Sequence, residues 1–191
     1  MTMENLFIVA TYIWALTGVY WIAAAQRTKP AKKKEKLLFR VCYMILWVLP
    51  FAITFLPVLP EGFIYDRLFP SHSFIAMLAF IGMLVGLGFM IWSRVVLGNN
   101  WSGRIAIKEN HQFVTSGPYK YVRNPMYAGF IIGFLFSTLL LNEVRGLVAF
   151  IILLIGILIK LHKEEKFVKE AFGKQYEEYA NRVSRLIPFL Y

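Results

Sequence analysis

The chain has 191 residues, 58% of them apolar, with a formal net charge of +10 and a mean hydropathy of +0.56. Hydropathy this high in so short a chain excludes an ordinary soluble domain, whose interior has too little room for so many large apolar side chains. The charge does not indicate nucleic acid: lysines and arginines fall between apolar runs and form no continuous basic face, as residues near anionic headgroups do.

Five apolar segments follow in chain order. The first is Leu6 to Ala25, the second Leu37 to Leu56 with Pro50 inside it, and the third Ser73 to Leu97 with Arg94 near its end. Each has about 20 residues or more, enough to cross a hydrocarbon core of roughly 30 Å. Ala23-Ala24-Ala25 looks like a signal-peptide cleavage site, but Met1 to Asn5 carries only Glu4 where a signal peptide has basic residues. The first segment is therefore expected as a retained helix. Cys42, the sole cysteine, lies in an apolar run and is expected as a plain buried or lipid-facing residue. The last two segments, Tyr127 to Leu141 and Val144 to Ile159, are separated only by Asn142-Glu143. They are short, since fifteen helical residues span about 22 Å. They read as a tight hairpin needing extra turns from its flanks, with its tip at Asn142, Glu143 and Arg145. Gly129, Gly133, Gly146 and Gly156 either bring neighbouring helices close or are ordinary membrane-helix residues.

The expected fold is all-α: a polytopic helical membrane protein of about five transmembrane helices, the last two a hairpin, in one domain over residues 1–191. Phe167, Val168, Ala171 and Phe172, then Gly173, Tyr176 and Tyr179, suggest a C-terminal amphipathic helix at the membrane interface. Leu186 to Tyr191 is apolar enough to fold back onto the protein or the membrane. Basic residues cluster as seven in 26–40, five in 94–125 and seven in 160–191, nineteen of the 21 in the chain. Five crossings put all three clusters on one side. By the positive-inside rule that side is cytosolic, with the N-terminus outside and the C-terminus inside. Lys29 to Lys36 reads as a topogenic loop.

Polar chemistry concentrates around the hairpin. Asn99 to Arg123 holds Arg104, His111, Gln112, Thr115, Ser116, Gly117, Tyr119 and Tyr121, and Ser116-Gly117-Pro118-Tyr119 reads as a turn. In Arg123-Asn124-Pro125, Asn124 can cap and Pro125 can open the next helix. Free amides there, with Arg123 beside them, suit a ligand carboxylate or phosphate. Beyond the fifth segment comes Lys160-Leu161-His162-Lys163-Glu164-Glu165. Adjacent helical carboxylates point about 100° apart, so at most one faces a given pocket; interfacial pairing with Lys160, Lys163 or Lys169 is the plainer reading. With only His72, His111 and His162 in the chain, and His72 on the far side, no zinc site is expected. There is no phosphate-binding glycine loop, no strand-linked GxGxxG, no Ser-His-Asp order and no CxxC pair.

The stretches His111 to Tyr119, Arg123 to Gly129, Glu164-Glu165, Phe172-Gly173-Lys174-Gln175-Tyr176-Glu177-Glu178-Tyr179 and Ile187-Pro188-Phe189, in that order, resemble the isoprenylcysteine carboxyl methyltransferases. More broadly they are similar to phospholipid methyltransferase-like membrane enzymes. The likeness spans about residues 100–190. It implies an integral membrane methyltransferase that uses S-adenosylmethionine, yields S-adenosylhomocysteine, and holds the cofactor in a cytosol-facing pocket within residues 99–191. By the same resemblance Arg104, His111, Gln112, Phe113, Val114, Tyr119, Asn124, Pro125, Met126, Tyr127 and Glu164 contact the cofactor. Arg123 and Glu164 are the expected catalytic pair, and Lys160 lies near the substrate. The acceptor implied is lipid-like or prenylated, such as the carboxylate of an isoprenylcysteine, and is reached from the membrane. One departure stands out: those enzymes have Arg-His-Pro where this chain has Arg123-Asn124-Pro125, and asparagine cannot exchange a proton near neutral pH. Two alternatives remain at this point. One is a membrane reductase of the sterol-reductase type using a nicotinamide cofactor; the other is a non-enzymatic scaffold.

Overall fold

The computed structural model describes residues 2–26, 37–57, 59–98 and 114–188. Six α-helices lie in them: α1 Met3–Gln26, α2 Leu37–Phe55, α3 Ser73–Leu97, α4 Pro125–Leu141, α5 Val144–Phe172 and α6 Lys174–Ala180. No strand occurs among the described residues, only the isolated bridges Arg67↔Glu143 and Val122↔Ser184. By length and composition α1, α3 and α5 can each cross a membrane, while α4 and the described part of α2 are shorter apolar helices. Their outer surfaces carry exposed apolar side chains, among them Leu16, Val19, Val85 and Ile155. Such a surface is stable against lipid and not against water. The protein is an integral membrane protein, and exposed Cys42 belongs to this outer surface.

Named contacts sort the helix ends into two groups. At the far end Glu4 pairs with Arg67 at 3.6 Å. There Asn142, in the left-handed conformation that ends α4 (φ 57°), donates from Nδ2 to the Phe69 carbonyl at 2.8 Å. Arg145 donates from Nη1 to the carbonyls of Ile53 (3.0 Å) and Leu56 (2.9 Å). It thereby satisfies acceptors that the last turn of α2 cannot pair internally. At the opposite end Arg94 near the C-terminus of α3 donates to the Ala24 carbonyl of α1 at 3.3 Å, and α4 begins at Pro125. The five long helices thus alternate in direction, with the hairpin tip where the sequence placed it.

Packing explains the alternation. Trp14 of α1 donates from Nε1 to Ser137 Oγ of α4 at 2.8 Å. Its ring sits against Phe51 of α2 and against Phe130 and Phe134 of α4, with centroids 5.2, 5.4 and 6.1 Å away. The tightest approach is between α3 and α4, where a Cβ on Gly86 would stand 2.4 Å from the Gly133 amide nitrogen. Gly156 of α5 backs onto Leu46 of α2, whose carbonyl receives no amide from Pro50 four residues on.

The fifth helix extends well past its apolar segment. It does not stop near Ile159 but runs 29 residues to Phe172, about 43 Å. The polar stretch from Lys160 onward is therefore helical and rigidly continuous with the membrane segment. Lysine and glutamate have good helix propensity, and nothing breaks the helix before Gly173 (φ 51°). The residues read as one amphipathic helix are split there: Phe167 to Phe172 end α5, and a seven-residue α6 turns back with Tyr176 and Tyr179 buried.

Candidate active site at the base of the terminal hairpin

The start of α4 and the polar half of α5 meet at one end of the bundle, and the two adjacent carboxylates divide it between them. Glu164 faces inward. Its Oε2 accepts a 2.7 Å hydrogen bond from the Tyr127 hydroxyl, and its Oε1 lies 3.7 Å from Lys160 Nζ, one turn earlier. Both side chains are largely buried, 22% exposed for Glu164 and 10% for Lys160. The Lys160 ammonium stands over the rings of Tyr43 (5.2 Å), Trp47 (5.2 Å) and Tyr127 (5.8 Å). Two of these rings come from α2, a helix in which the sequence showed no motif. Tyr43 and Trp47 are one turn apart and so share a face, which was the available signal.

Glu165 faces the C-terminal segment. Its Oε1 accepts from Arg123 Nε at 3.3 Å and from Asn124 Nδ2 at 2.9 Å, and Arg185 Nε lies 3.0 Å from Oε2. Arg123 also donates from Nη1 to the carbonyls of Ala180 (2.7 Å) and Val183 (2.8 Å). The amides of Arg123 and Asn124 donate to the carbonyls of Ser184 (2.8 Å) and Arg185 (3.2 Å). Residues 180–185 are thereby strapped across the start of α4. Arg185 and the strap are the components sequence reasoning missed, because nothing local marks which distant carbonyls an arginine will reach.

Asn124 occupies the N-cap position and Pro125 the first helical position, as read from the sequence, but Asn124 makes no side-chain cap bond. Its amide points its donor at Glu165 and the Arg185 carbonyl (3.2 Å) instead. A cap needs an acceptor, whereas the charged neighbour here is itself an acceptor and takes the NH2. The anion beside the start of α4 is the chain's own Glu165.

The turn at 116–119 is a short 3-10 helix, Gly117–Lys120, with Gly117 at φ 60° and Pro118 and Tyr119 buried. The Tyr179 hydroxyl donates to the Tyr119 carbonyl, joining α6 to this turn. Val114, Met126 and Tyr127 are half-buried. Arg104, His111, Gln112 and Phe113 lie outside the described residues, as do the Lys29–Lys36 loop and Phe189 to Tyr191. His162 is exposed.

Burial raises the hydroxyls of this seam. Tyr176 is pushed up to about 12, chiefly by loss of solvent and then by the Glu165 carboxylate. Tyr119 and Tyr179 lie well above the usual tyrosine range for the same first reason. A raised value means that the folded state holds the proton more tightly than the unfolded chain. The stability Tyr176 contributes is whole below its ordinary value of 10.0 and is lost as the pH climbs through about 12. Melting temperatures of the detergent-solubilised protein should fall across that window, and Tyr176→Phe should make the fall shallower. An unchanged slope in the variant would show that Tyr176 does not couple to folding.

The fold and site define a polytopic helical membrane enzyme with a polar centre built on a terminal hairpin. Residues 74–175 match the phospholipid methyltransferase family, and the chain belongs to that family of membrane methyltransferases. It is 28% identical over 147 residues to a probable protein-S-isoprenylcysteine O-methyltransferase of Oryza sativa subsp. indica, covering 75% of this chain and 76% of the relative. It is 35% identical over 79 residues to a methanethiol S-methyltransferase of Crocosphaera subtropica, covering 41% of this chain and 30% of the relative. A solved structure of the eukaryotic intramembrane Ras methyltransferase, an isoprenylcysteine carboxyl methyltransferase, is 18% identical with a TM-score of 0.48, covering 80% of this chain and 67% of that one. The methyltransferase reading thus holds over the reductase and the scaffold.

Proposed function

We propose that the protein transfers a methyl group from S-adenosylmethionine to a lipid-like or prenylated acceptor, the carboxylate of an isoprenylcysteine foremost, at the cytosolic face of the membrane. The observation that carries this is the Tyr127–Glu164–Lys160 cluster, seated where the membrane bundle ends and walled by aromatic rings. The partly exposed Glu164 carboxylate suits a ligand with a cationic sulfonium and polar substituents, so the residues present fit this cofactor. When bound, it supplies a methyl on positively charged sulfur, taken by an acceptor lone pair as the carbon–sulfur electrons return to sulfur.

The protein's task is then to position and to exclude water. Glu164 holds a polar or cationic part of the cofactor, and Tyr127 fixes the rotamer of Glu164. The family resemblance adds Val114, Tyr119, Asn124, Pro125 and Met126, together with Arg104, His111, Gln112 and Phe113, as expected cofactor contacts. Arg123 acts through the strap: its donors hold residues 180–183 and Glu165, so it positions the segment that closes the site. A carboxylate acceptor is already nucleophilic at neutral pH and needs no base, which is compatible with asparagine at position 124. The basic clusters support a cytosolic position for this face by the positive-inside rule, and in this proposal the acceptor's apolar tail enters from the bilayer.

The test is labelled methyl transfer from S-adenosylmethionine to N-acylated S-prenylcysteines of decreasing tail length. Activity should fall steeply as the tail shortens, and Tyr127→Phe should lower the rate about tenfold by releasing Glu164. Equal use of a water-soluble acceptor would contradict the proposal.

A further inference from the structure

Between the turn at 117–120 and the start of α4 the backbone does not pair with itself. In turn or helix geometry the Tyr119 carbonyl would receive the amide of Val122 or Arg123. Val122 donates instead to the Pro118 carbonyl at 3.3 Å, and Arg123 to the Ser184 carbonyl at 2.8 Å. The Tyr119 carbonyl is taken by the Tyr179 hydroxyl of α6. A side chain sixty residues on thus replaces the missing amide, in a buried place where an unpaired carbonyl is costly. Both tyrosines are buried, 7% exposed for Tyr179 and 8% for Tyr119. On its other side the turn rests on α3. A Cβ on Gly117 would come 3.1 Å from Val96, and the Tyr119 hydroxyl lies 3.5 Å from the Ser93 carbonyl. Burial first, then Tyr179 and the Glu164 carboxylate, raise that hydroxyl. Tyr119 therefore stands between α6 and the Glu164 pocket.

We propose that Tyr179 is a positioning residue for the methyl donor: by holding the Tyr119 carbonyl it seats the Tyr119 turn, and with it the start of α4, against the Glu164 pocket. This rests on the methyl-transfer reading above and adds to it a residue of α6 that acts through Tyr119 and not by touching the donor. Three bonds tie the C-terminal segment to this one join: the Tyr179 hydroxyl to Tyr119, and the amides of Arg123 and Asn124 to the strap. The two strap bonds run from backbone to backbone and ask nothing of the residue types involved. Only the third is set by a side chain. Losing that hydroxyl changes where the turn sits and leaves the reacting groups in place, so donor affinity falls while the transfer step at saturating donor does not. By reciprocity an occupied donor pocket steadies α6, because a ligand that favours the seated turn favours the contact that seats it.

The experiment uses the full chain in detergent. It reads S-adenosylhomocysteine binding and methyl transfer from S-adenosylmethionine to an N-acylated S-prenylcysteine. Tyr179→Phe keeps the buried ring and deletes the donor. It should weaken S-adenosylhomocysteine binding and raise KM for S-adenosylmethionine about threefold to tenfold, the worth of one hydrogen bond. The kcat at saturating donor and the acceptor KM should be unchanged. Para-aminophenylalanine in place of Tyr179 puts an N–H donor back on the ring and should restore both donor constants. Tyr121→Phe removes an exposed hydroxyl beside the same turn and should change nothing. Bound S-adenosylhomocysteine should also slow amide exchange at Arg182 and Val183, which bond to the Tyr179 carbonyl, and do so less in Tyr179→Phe. An unchanged donor affinity in Tyr179→Phe overturns the proposal. So does a loss shared equally by kcat and both KM values that para-aminophenylalanine does not restore, because Tyr179 would then serve folding alone. A wild-type protein that binds no S-adenosylhomocysteine would instead overturn the donor site assigned under the proposed function, and this proposal with it, before any variant is made.

Discussion

Leucine in place of Gly129 is expected to prevent the protein from accumulating in folded form, and alanine there to destabilise it by about 3 kcal/mol. A Cβ at this position would lie 2.6 Å from both the Gly86 carbonyl oxygen and the Met90 amide nitrogen. These are backbone atoms of α3, which cannot rotate away as a side-chain tip can. Within a bilayer, helix association depends on close packing more than on the hydrophobic effect, so separating α3 from α4 removes much of what joins them. The damage should reach the site, because α4 begins four residues earlier at Pro125. The control is Gly88→Ala on the exposed face of α3, where an added Cβ meets nothing within 4 Å. Its thermal unfolding in detergent should match wild type. Equal melting of Gly129→Ala and Gly88→Ala would show that α3 and α4 do not approach as described.

Removing the Glu165 carboxylate should detach the C-terminal strap while leaving the membrane bundle intact. Glu165→Ala would leave the guanidiniums of Arg123 and Arg185 facing one another without a counterion, with side chains only 17% and 14% exposed. Breaking a largely buried ion cluster from one side costs about 3 kcal/mol. That cost falls on the seam between residues 180–185 and the start of α4. The amides of Arg123 and Asn124, bonded to the Ser184 and Arg185 carbonyls, should exchange hydrogen at least tenfold faster, and methyl transfer should fall by at least tenfold. Amides inside α3 should not change. Glu165→Gln keeps an acceptor for Asn124 and should be intermediate. Protection that persists at Arg123 and Asn124 in Glu165→Ala would contradict the strap.

The two carboxylates show what was legible in the sequence. Their adjacency on a helix was enough to say that they face different ways, and Glu164 with Lys160 one turn earlier was readable as a pair. The lengths of the apolar runs also located the five segments, and the Asn142-Glu143 break located the hairpin tip. The partners of Glu165 were not legible, since Arg185 lies twenty residues on and reaches it only because α5 ends at Gly173 and the chain doubles back. The full length of α5 was not legible for a related reason. Hydropathy reports where lipid ends, whereas the helix continues as long as propensity and packing favour it. Gly129 stood out in the sequence, but its partner Gly86 did not, because only the crossing of α3 and α4 makes them neighbours. Tyr43 and Trp47 were hidden in an apolar helix, where aromatic residues one turn apart are ordinary. Only Lys160 from another helix gives them a polar role.

The central claim is that the methyl donor is held where α4 begins and α5 turns polar, with Glu164 as a direct contact. Equilibrium binding of S-adenosylhomocysteine to the solubilised protein and to Glu164→Ala tests it most directly. The account predicts saturable binding by the wild type and at least tenfold weaker binding by a Glu164→Ala protein that melts normally. Equal affinity in the two, or no binding by the intact wild type, would contradict it.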